Sequence, residues 1–169
     1  MCGRVRLSSD VSEIKLVFGI PPERPIPNFP PSWNAAPTDS LPVVRYDLKA
    51  GQRSLDMLRW GLIPYWAKDI KVGFANINAK AEGIESKPAF RKAFERRRCL
   101  VPVALHKNSR FLVKGQSFRS GKNYSRELPA PIHNRTPVIL PATAWRLWFG
   151  EEKRSPTNPS ASSDCVQRN

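Results

Sequence analysis

The sequence has few acidic residues, few cysteines and histidines, and no long apolar run. Because its three cysteines (Cys2, Cys99 and Cys165) are scattered and form no Cys-x-x-Cys pair, it predicts no disulfide framework. Only two histidines, His106 and His133, accompany them, so we expect no metal site and no cofactor. No stretch of about 18 apolar residues is present, and the N-terminus lacks an apolar signal-peptide core. We therefore expect a cytoplasmic protein without a membrane partner.

The shortage of acidic residues leaves a large positive charge. Fourteen aspartates and glutamates stand against 28 lysines and arginines, which gives a net charge of +14 over 169 residues. Such an excess favours polyanionic partners, because binding them releases condensed counterions. Nucleic acid is the partner that this charge favours, and a solvated basic surface without a partner is the alternative. The length fits one domain with its own apolar core, and we expect a monomer.

Apolar periodicity predicts both helices and strands in the first 103 residues. Asp10 is a predicted helix N-cap, and Glu13 stands three residues later as in a capping box. The apolar face of that helix is predicted to hold Val11, Ile14, Val17 and Phe18. The predicted elements are, in chain order, a helix over 11–18, strands over 41–47 and 54–64, a helix over 87–98 and a buried strand over 99–103.

The pattern weakens after residue 103. Residues 104–127 are strongly basic and show little periodicity, so they predict no definite element. Order returns with a predicted strand over 136–140 and a short helix that carries Trp145 and Trp148. The final residues are rich in serine, proline and asparagine and are predicted to be disordered. We therefore expect a domain over 1–150, with 104–127 as its divergent part, and a tail over 151–169.

The first residues raise a specific chemical possibility. If Met1 is removed, Cys2 becomes the N-terminus and carries a free amine next to its thiol. Such a 1,2-aminothiol captures an aldehyde, because the amine forms an imine and the thiol closes it into a thiazolidine. With reference pKa values of about 7.7–8.0 for the amine and 8.5 for the thiol, part of the amine is neutral at pH 7. DNA that has lost a base offers an aldehyde at C1′ of its opened sugar.

Six stretches of the sequence resemble the SRAP family of abasic-site processing proteins, which sense damaged single-stranded DNA. They occur in family order, cover residues 1–103 and 128–148, and read MCGR, WNAAPT, LRWGLIPYWAKD, NINAKAE, KPAFRKAFERRRCLVP and APIHNRTPVILPATAW. The resemblance implies an α+β fold with a mixed, mainly antiparallel β-sheet or barrel-like core and flanking helices, incomplete in this chain. It also implies an enzyme of lyase or hydrolase type that removes its own Met1.

The resemblance implies three catalytic residues. Cys2 corresponds to the nucleophile that joins covalently to the abasic deoxyribose. Asn78 corresponds to an asparagine that orients the terminal amine and the sugar, and a neutral amide can hydrogen-bond both. His133 corresponds to a histidine that helps to open the sugar ring, and an imidazole with a pKa near 6.5 can exchange protons at neutral pH.

The resemblance also implies five DNA-binding residues: Arg4, Asn34, Trp66, Lys80 and Arg135. Arg4 and Arg135 correspond to arginines that bind phosphate, for which the planar guanidinium is well suited. Lys80 replaces an arginine that is common in the family, so it keeps the charge but loses the forked geometry. Trp66 corresponds to an aromatic residue that stacks on DNA. Trp60, in contrast, is predicted to lie in the core.

The resemblance fails after CLVP. The family continues with a small residue, Gly, two aromatic residues, Glu and Trp, whereas residues 103–107 here read Val-Ala-Leu-His-Lys. The glutamate that acts as general base and aids reversal of the crosslink is therefore absent. Several tens of residues of strand are also missing, which predicts an internal deletion within the domain. We expect a slow crosslink that is hard to reverse.

Two other functions remain open at this stage. A catalytically impaired, basic remnant would bind intact and abasic single strands alike, without a covalent product. An N-terminal-nucleophile glutaminase also begins Met-Cys-Gly and uses its terminal amine as the base for the thiol. The sequence lacks the downstream Asn-Gly-Glu type of substrate loop found in those enzymes, and a charge of +14 does not suit glutamine.

Overall fold

The computed structural model of the protein describes residues 3–103, 111–119 and 135–152. The helices are α1 (Val11–Phe18), α2 (Val72–Ala75), α3 (Arg91–Arg96) and α4 (Trp145–Phe149), and a 3-10 turn over Ala142–Ala144 leads into α4. The strands are β1 (Val5–Leu7), β2 (Ser32–Ala35), β3 (Ser40–Asp47), β4 (Gln52–Arg59), β5 (Ala79–Lys80), β6 (Leu100–Val101), β7 (Phe111–Arg119) and β8 (Arg135–Leu140).

The strands form two sheets, and nearly all of their pairings are antiparallel. β1 and β2 make a small sheet, and the other six strands make a larger one in the order β4-β3-β6-β7-β5, with β8 on β7. Only β5 and β7 run parallel. The α+β, mainly antiparallel fold that the resemblance implied is thus confirmed. The described strands do not close into a barrel, so the expectation of a barrel-like core is corrected to open sheets.

β7 lies at the centre of the larger sheet. Leu112 is opposite Val101 of β6 and also opposite Ile139 of β8, so these two strands occupy the two edges of β7. Ser117 is likewise opposite both Lys80 of β5 and Pro137 of β8. β5 and β6 therefore share one edge of β7. The segment 104–127, for which the sequence predicted no element, thus contains the strand on which three others converge.

The larger sheet has an apolar cluster on each face, because successive side chains of a strand point to opposite sides. The helix-side cluster contains Ile14, Phe18, Ile20, Val44, Leu55, Ala81, Leu100, Val138, Leu140, Trp145, Trp148 and Phe149. The second cluster, hereafter the site cluster, contains Leu7, Ala35, Leu41, Val43, Trp60, Val101 and Val103, with Val5, Leu58, Ile77 and Cys99 packed against them. Neighbouring residues Val43 and Val44 belong to different clusters.

The first predicted helix is confirmed as α1, and the first predicted hairpin is confirmed as β3 and β4. The Asp10 carboxylate accepts a hydrogen bond of 2.7 Å from the amide of Ser12, which lowers the pKa of Asp10 and begins α1. Gly19, at φ 61°, ends the helix in the left-handed conformation that glycine adopts without strain. Ile14 and Phe18 are buried as expected, whereas Val17 is 37% exposed. The predicted position of Val17 on the apolar face is therefore wrong.

Three predicted elements are shorter than expected. β4 ends at Arg59 rather than near Pro64, because Gly61 has φ 118° and leaves the strand conformation. The predicted helix over 87–98 is reduced to α3, since no side chain caps its start at Phe90 and residues 87–90 form turns. The predicted strand over 99–103 contributes two buried residues as β6. Cys99, the first residue of that predicted strand, lies outside β6 and is half-buried.

The C-terminal end of the described chain is held to the sheet. The predicted strand over 136–140 and the helix with Trp145 and Trp148 are confirmed as β8 and α4. Arg53 of β4 donates hydrogen bonds of 2.5 and 3.0 Å to the two carboxylate oxygens of Glu151. Glu151, which the prediction assigned to the tail, is therefore held against the sheet, and residues 153–169 lie outside the described part. No helix within the described ranges is both long and apolar enough to cross a membrane.

Candidate functional site

The N-terminal strand lies beside the WNAAPT stretch. β1 pairs with β2 so that Val5 is opposite Ala35, and both belong to the site cluster. Because side chains alternate along a strand, the preceding residues Arg4 and Asn34 point away from this cluster, and both are exposed. Cys2 lies outside the described residues and is two positions from Arg4 along the chain. The small sheet thus places β1 beside the strand that carries Asn34.

Trp60 fixes the segment that leads to Asn78. The Trp60 side chain is 5% exposed, which confirms its predicted place in the core. Its indole Nε1 donates a hydrogen bond of 2.8 Å to the carbonyl oxygen of Ile77. The amide of Leu62 donates a further bond of 3.1 Å to the carbonyl of Asn76. Asn78 follows directly and is half-buried between the anchored Ile77 and the buried strand residue Ala79.

The loop after β2 is bonded to the same tryptophan. The amide of Thr38 donates to the carbonyl of Trp60 at 2.9 Å, and the amide of Trp60 donates to the carbonyl of Asp39 at 2.8 Å. The Asp39 carboxylate accepts a bond of 2.8 Å from the amide of Ala36. These bonds hold Thr38 at φ 82°, a conformation that costs a β-branched residue about 1–3 kcal/mol. WNAAPT and RWG therefore form one rigid unit.

These contacts bring three of the predicted site residues to the edge of one apolar cluster. Val5, Ala35 and Ile77 all belong to the site cluster. Arg4, Asn34 and Asn78 are their immediate neighbours in the chain. Three stretches that are far apart in the sequence thus meet at the site cluster through the buried Ala35 and the half-buried Val5 and Ile77, and in each stretch a polar residue stands next to the apolar one.

Lys80 and Arg135 lie on two strands of the larger sheet that both pair with β7. The exposed Lys80 ends β5 opposite Ser117 of β7, and Arg135 begins β8 opposite Arg119 of the same strand. β5 and β8 are separated by β7 alone, so their backbones are about 10 Å apart. His133 lies outside the described residues, two positions before Arg135. The sheet therefore places the two basic residues two strands apart, opposite positions 117 and 119 of β7.

Trp66 lies in a loop rather than on the sheet. Its side chain is 54% exposed, and that of Tyr65 next to it is 67% exposed. The loop follows the Leu62–Asn76 hydrogen bond that supports Asn78, so Trp66 and Asn78 belong to connected segments. An exposed indole is able to stack on a base of any identity.

Among the cation–ring pairs that sequence reasoning missed, three place a cation over an exposed aromatic ring. The Arg6 guanidinium carbon is 3.9 Å from the centre of the Trp33 ring, one residue before Asn34. The other pairs are Lys92 over Tyr65 and Arg59 over Phe74. Each aromatic residue is at least half exposed. An aromatic residue within a basic stretch was the sequence signal for such a pair. Which cation lies over which ring, however, depends on the tertiary structure.

A cavity of about 800 Å³ adjoins the support of Asn78. Trp60, Asn76 and Ile77 contribute to its wall, and aromatic and arginine side chains of the α3 region contribute to the rest. Its lining includes none of the predicted site residues that the structure describes. The described ranges also contain no group of three or more histidine, cysteine or acidic residues that could hold a metal ion. The candidate site is therefore a basic and aromatic surface rather than this cavity.

The comparison with known families shows to which family this chain belongs. The sequence profile of the family described as SOS response associated peptidase (SRAP) matches residues 1–105. The chain belongs to the SRAP family. The match spans β1 to β6 and thus includes the site cluster, Asn78 and Lys80.

Relatives of this SRAP chain in Bacillus subtilis carry the name abasic site processing protein. YobE is 40% identical over 188 aligned residues, which cover 92% of this chain and 85% of YobE. YoaM is 31% identical over 188 residues, which cover 92% of this chain and 82% of YoaM. YoqW is 42% identical over 103 residues, 61% of this chain and 45% of YoqW. Because 188 aligned positions exceed the 169 residues of this chain, YobE and YoaM contain residues without a counterpart here.

Solved structures share the fold. A crystal structure of a Bacteroides thetaiotaomicron protein superposes with a TM-score of 0.66 at 15% identity, over 91% of this chain and 83% of that one. A Bordetella bronchiseptica protein gives a TM-score of 0.61 at 16% identity, over 98% and 92% of the two chains. The architecture of the SRAP chain is therefore found in experimental structures.

Proposed function

We propose that this SRAP chain processes abasic sites in single-stranded DNA by forming a covalent crosslink through Cys2. One observation carries the proposal: the site cluster joins Val5, Ala35 and Ile77, which are the chain neighbours of Arg4, Asn34 and Asn78. The names of the Bacillus subtilis relatives support the substrate class. The net charge of +14 supports a nucleic-acid partner. We expect the protein to act as a monomer.

The proposed reaction begins when the protein removes its own Met1 and exposes the amine of Cys2. That amine attacks the C1′ aldehyde of the opened abasic sugar and expels one water molecule, which leaves an imine. The Cys2 sulfur then adds to the imine carbon, and the nitrogen takes the proton that the thiol gives up. The product is a five-membered thiazolidine, and the net change is the loss of one water molecule.

Of the other predicted residues, some orient the reacting groups and some bind the DNA strand. Asn78 hydrogen-bonds the Cys2 amine and the sugar, and His133 exchanges the proton needed to open the sugar ring. Arg4, Lys80 and Arg135 bind the backbone phosphates on either side of the lesion. Asn34 contributes a polar contact beside Arg4, and Trp66 stacks on a base next to the lesion.

The loss of the family glutamate affects the reverse reaction in this proposal. The neighbouring residues 104–110 lie outside the described part of the chain. Without a carboxylate to remove and return protons, the thiazolidine opens slowly. We therefore propose a protein that shields the lesion for a long time.

The decisive experiment combines the purified protein with a single-stranded oligonucleotide that carries one abasic site. We expect an adduct that survives denaturation and whose mass equals that of the protein without Met1 plus the DNA minus one water. The Cys2→Ala variant should give no such adduct. The rate should rise between about pH 6 and pH 8, because the terminal amine becomes neutral in this range.

Two outcomes would favour the other functions. Equal, salt-sensitive binding of intact and abasic strands without any adduct would indicate the basic remnant. Release of ammonia from glutamine would indicate the glutaminase, which the names of the relatives do not favour. Retention of Met1 in the mature protein, seen by mass spectrometry, would refute the proposed chemistry directly.

A further inference from the structure

The cavity beside Trp60 has a wall that the fold holds in place. Its volume of about 800 Å³ lies within the range of ligand pockets, which is about 300–1,000 Å³. In the wall, the rings of Phe94 and Trp148 meet edge to face, with 5.9 Å between their centres. The Trp148 indole donates a hydrogen bond of 3.4 Å to the carbonyl of Cys99, and the Arg98 guanidinium donates to the carbonyls of Phe94 and Trp148. This wall therefore needs little further ordering when a partner binds.

The interior of the cavity is mainly apolar. Its lining combines aliphatic and aromatic side chains, among them Leu58, Ile63, Ile77, Ile84, Phe90 and Phe94. Leu58 and Ile77 also pack against the site cluster, and Phe94 packs against the helix-side cluster, so the cavity reaches both clusters. Burial of an apolar side chain in such a space is favourable in proportion to the area that it removes from water. The cavity is thus suited to an apolar anchor of a partner.

Arginines contribute to the same lining. It contains one acidic residue, Glu95, against five arginines: Arg45, Arg59, Arg96, Arg97 and Arg98. Three of these arginines, hereafter the arginine rim, are exposed: Arg45, Arg96 and Arg97. Arg45 pairs with Asp56 at 2.6 Å and Arg96 with Glu95 at 3.6 Å, whereas no ion pair among the described residues involves Arg97. The lining therefore has a surplus of positive charge that an acidic partner would complement.

We infer that the cavity binds an acidic peptide segment of a partner protein, with an apolar side chain in its interior and carboxylates on the arginine rim. The arginine rim draws on β3, on α3 and on the residue after α3, so its charges are spread over several positions. A segment with several acidic residues can meet such a set, and clusters of arginines commonly bind acidic motifs. A nucleic-acid strand fits less well, because base edges among apolar side chains would lose their hydrogen bonds to water. The inference goes beyond the proposed function, because it needs neither Cys2 nor DNA.

Three synthetic peptides test the anchor and the charges separately. The first is a fluorescently labelled peptide in which four aspartates precede a Leu-Phe pair, and fluorescence anisotropy gives its affinity for the full chain. The second replaces Leu-Phe by Gly-Ser, and the third replaces the aspartates by serines. We expect the second and third to bind at least about tenfold more weakly than the first, because one lacks the apolar anchor and the other lacks the carboxylates. Equal affinities of the three peptides would overturn the inference.

A variant that fills the cavity tests its interior. Ala93 of α3 lines the cavity, so Ala93→Trp adds a ring there and keeps every arginine. We expect the first peptide to bind this variant at least about tenfold more weakly, while the weak binding of the Gly-Ser peptide stays the same. Leu16→Trp is the matched control, because Leu16 is 84% exposed on α1 and does not line the cavity. An unchanged affinity in an Ala93→Trp variant that is folded by circular dichroism would refute the binding site.

A charge reversal tests the arginine rim and decides the matter if Ala93→Trp does not fold. Arg97→Glu should weaken binding of the first peptide at least about fivefold, because repulsion replaces attraction close to its carboxylates. Arg6→Glu makes the same change of net charge at an exposed position of β1 outside the cavity lining, and it should weaken binding less than about twofold.

Two results of these variants would contradict the inference. Equal losses in Arg97→Glu and Arg6→Glu would indicate a general effect of net charge rather than a site. An undamaged single-stranded oligonucleotide whose affinity falls as far in Ala93→Trp as that of the first peptide would identify nucleic acid as the occupant. Adduct formation on abasic DNA is measured separately, so failure of the crosslinking proposal would leave the peptide result unaffected.

Discussion

At the scale of single residues, Trp60 does the most to organise the candidate site. It is buried, its indole holds the carbonyl of Ile77, and its backbone bonds both Thr38 and Asp39. The sequence predicted Trp60 as a core residue, in keeping with the high average burial of tryptophan. It could not predict the bond to Ile77, because that partner lies 17 positions away and is set by the packing of the loop.

The Trp60→Phe variant tests this organising role. It leaves the Ile77 carbonyl without its donor and removes buried ring volume, so we expect a loss of about 2 kcal/mol in the free energy of unfolding. Urea denaturation followed by circular dichroism gives the value. Trp33→Phe is the matched control, because Trp33 is 66% exposed, and it should change the free energy by less than about 0.5 kcal/mol. Similar losses of unfolding free energy in the two variants would contradict the organising role of Trp60.

At the scale of elements, local signals were predictable and distant pairings were not. The hairpin of β3 and β4 follows from two alternating runs, and its turn is held by Asp47, whose carboxylate accepts the amides of Lys49 and Ala50. A hydrogen bond from Arg24, followed by those two amides, lowers the pKa of Asp47. β7 gave no signal, because its pairing partners β5, β6 and β8 come from distant parts of the chain.

The end of β4 depends on a glycine that no other residue can replace without strain. An alanine at position 61 would have φ near 118° and a Cβ 2.8 Å from the Gly73 carbonyl oxygen, so the two segments would have to separate. We expect Gly61→Ala to lower the free energy of unfolding by about 2–4 kcal/mol.

Gly19→Ala is the matched control for Gly61→Ala, and a thermal melt of the two variants compares their stability. Gly19→Ala meets no atom within 4 Å and adds only the strain of φ 61°, so it should cost about 1 kcal/mol. The midpoint of unfolding should therefore fall clearly further for Gly61→Ala, by about 2–4 °C for each additional kcal/mol. Equal midpoints would show that the approach of Gly61 to Gly73 is not a tight constraint.

At the scale of the whole molecule, Arg53 connects the end of α1 with the C-terminal end of the described chain. Its guanidinium binds both carboxylate oxygens of Glu151 and also donates to the carbonyl of Phe18 at 2.7 Å. The side chains of Arg53 and Glu151 are only 17% and 13% exposed. One largely buried cation therefore holds together α1, β4 and Glu151, which stands two residues after α4. This contact was not predictable from the sequence, because Glu151 stands at the start of a polar stretch.

Glu151→Gln should destabilise the protein by about 1–3 kcal/mol, because it leaves the largely buried Arg53 without an opposite charge. Glu152→Gln is a matched control in the adjacent position. Its side chain is 53% exposed and pairs with Arg146, so the change should cost less than about 1 kcal/mol. Chemical denaturation of both variants measures the difference. A larger loss for Glu152→Gln would refute the proposed closing role of Glu151.

The division of β3 between two apolar clusters also bears on how such a chain can evolve. Val43 faces the N-terminal sheet and Val44 faces the helices, so inserting or deleting one codon within β3 would exchange the two sets of side chains. Changes in length are tolerated in turns and in connections outside the paired strands, because there they do not move side chains from one face of the sheet to the other. A lineage can therefore change the length of the connections between β6 and β7 or between β7 and β8 and still inherit the arrangement of β1, β2 and the site cluster.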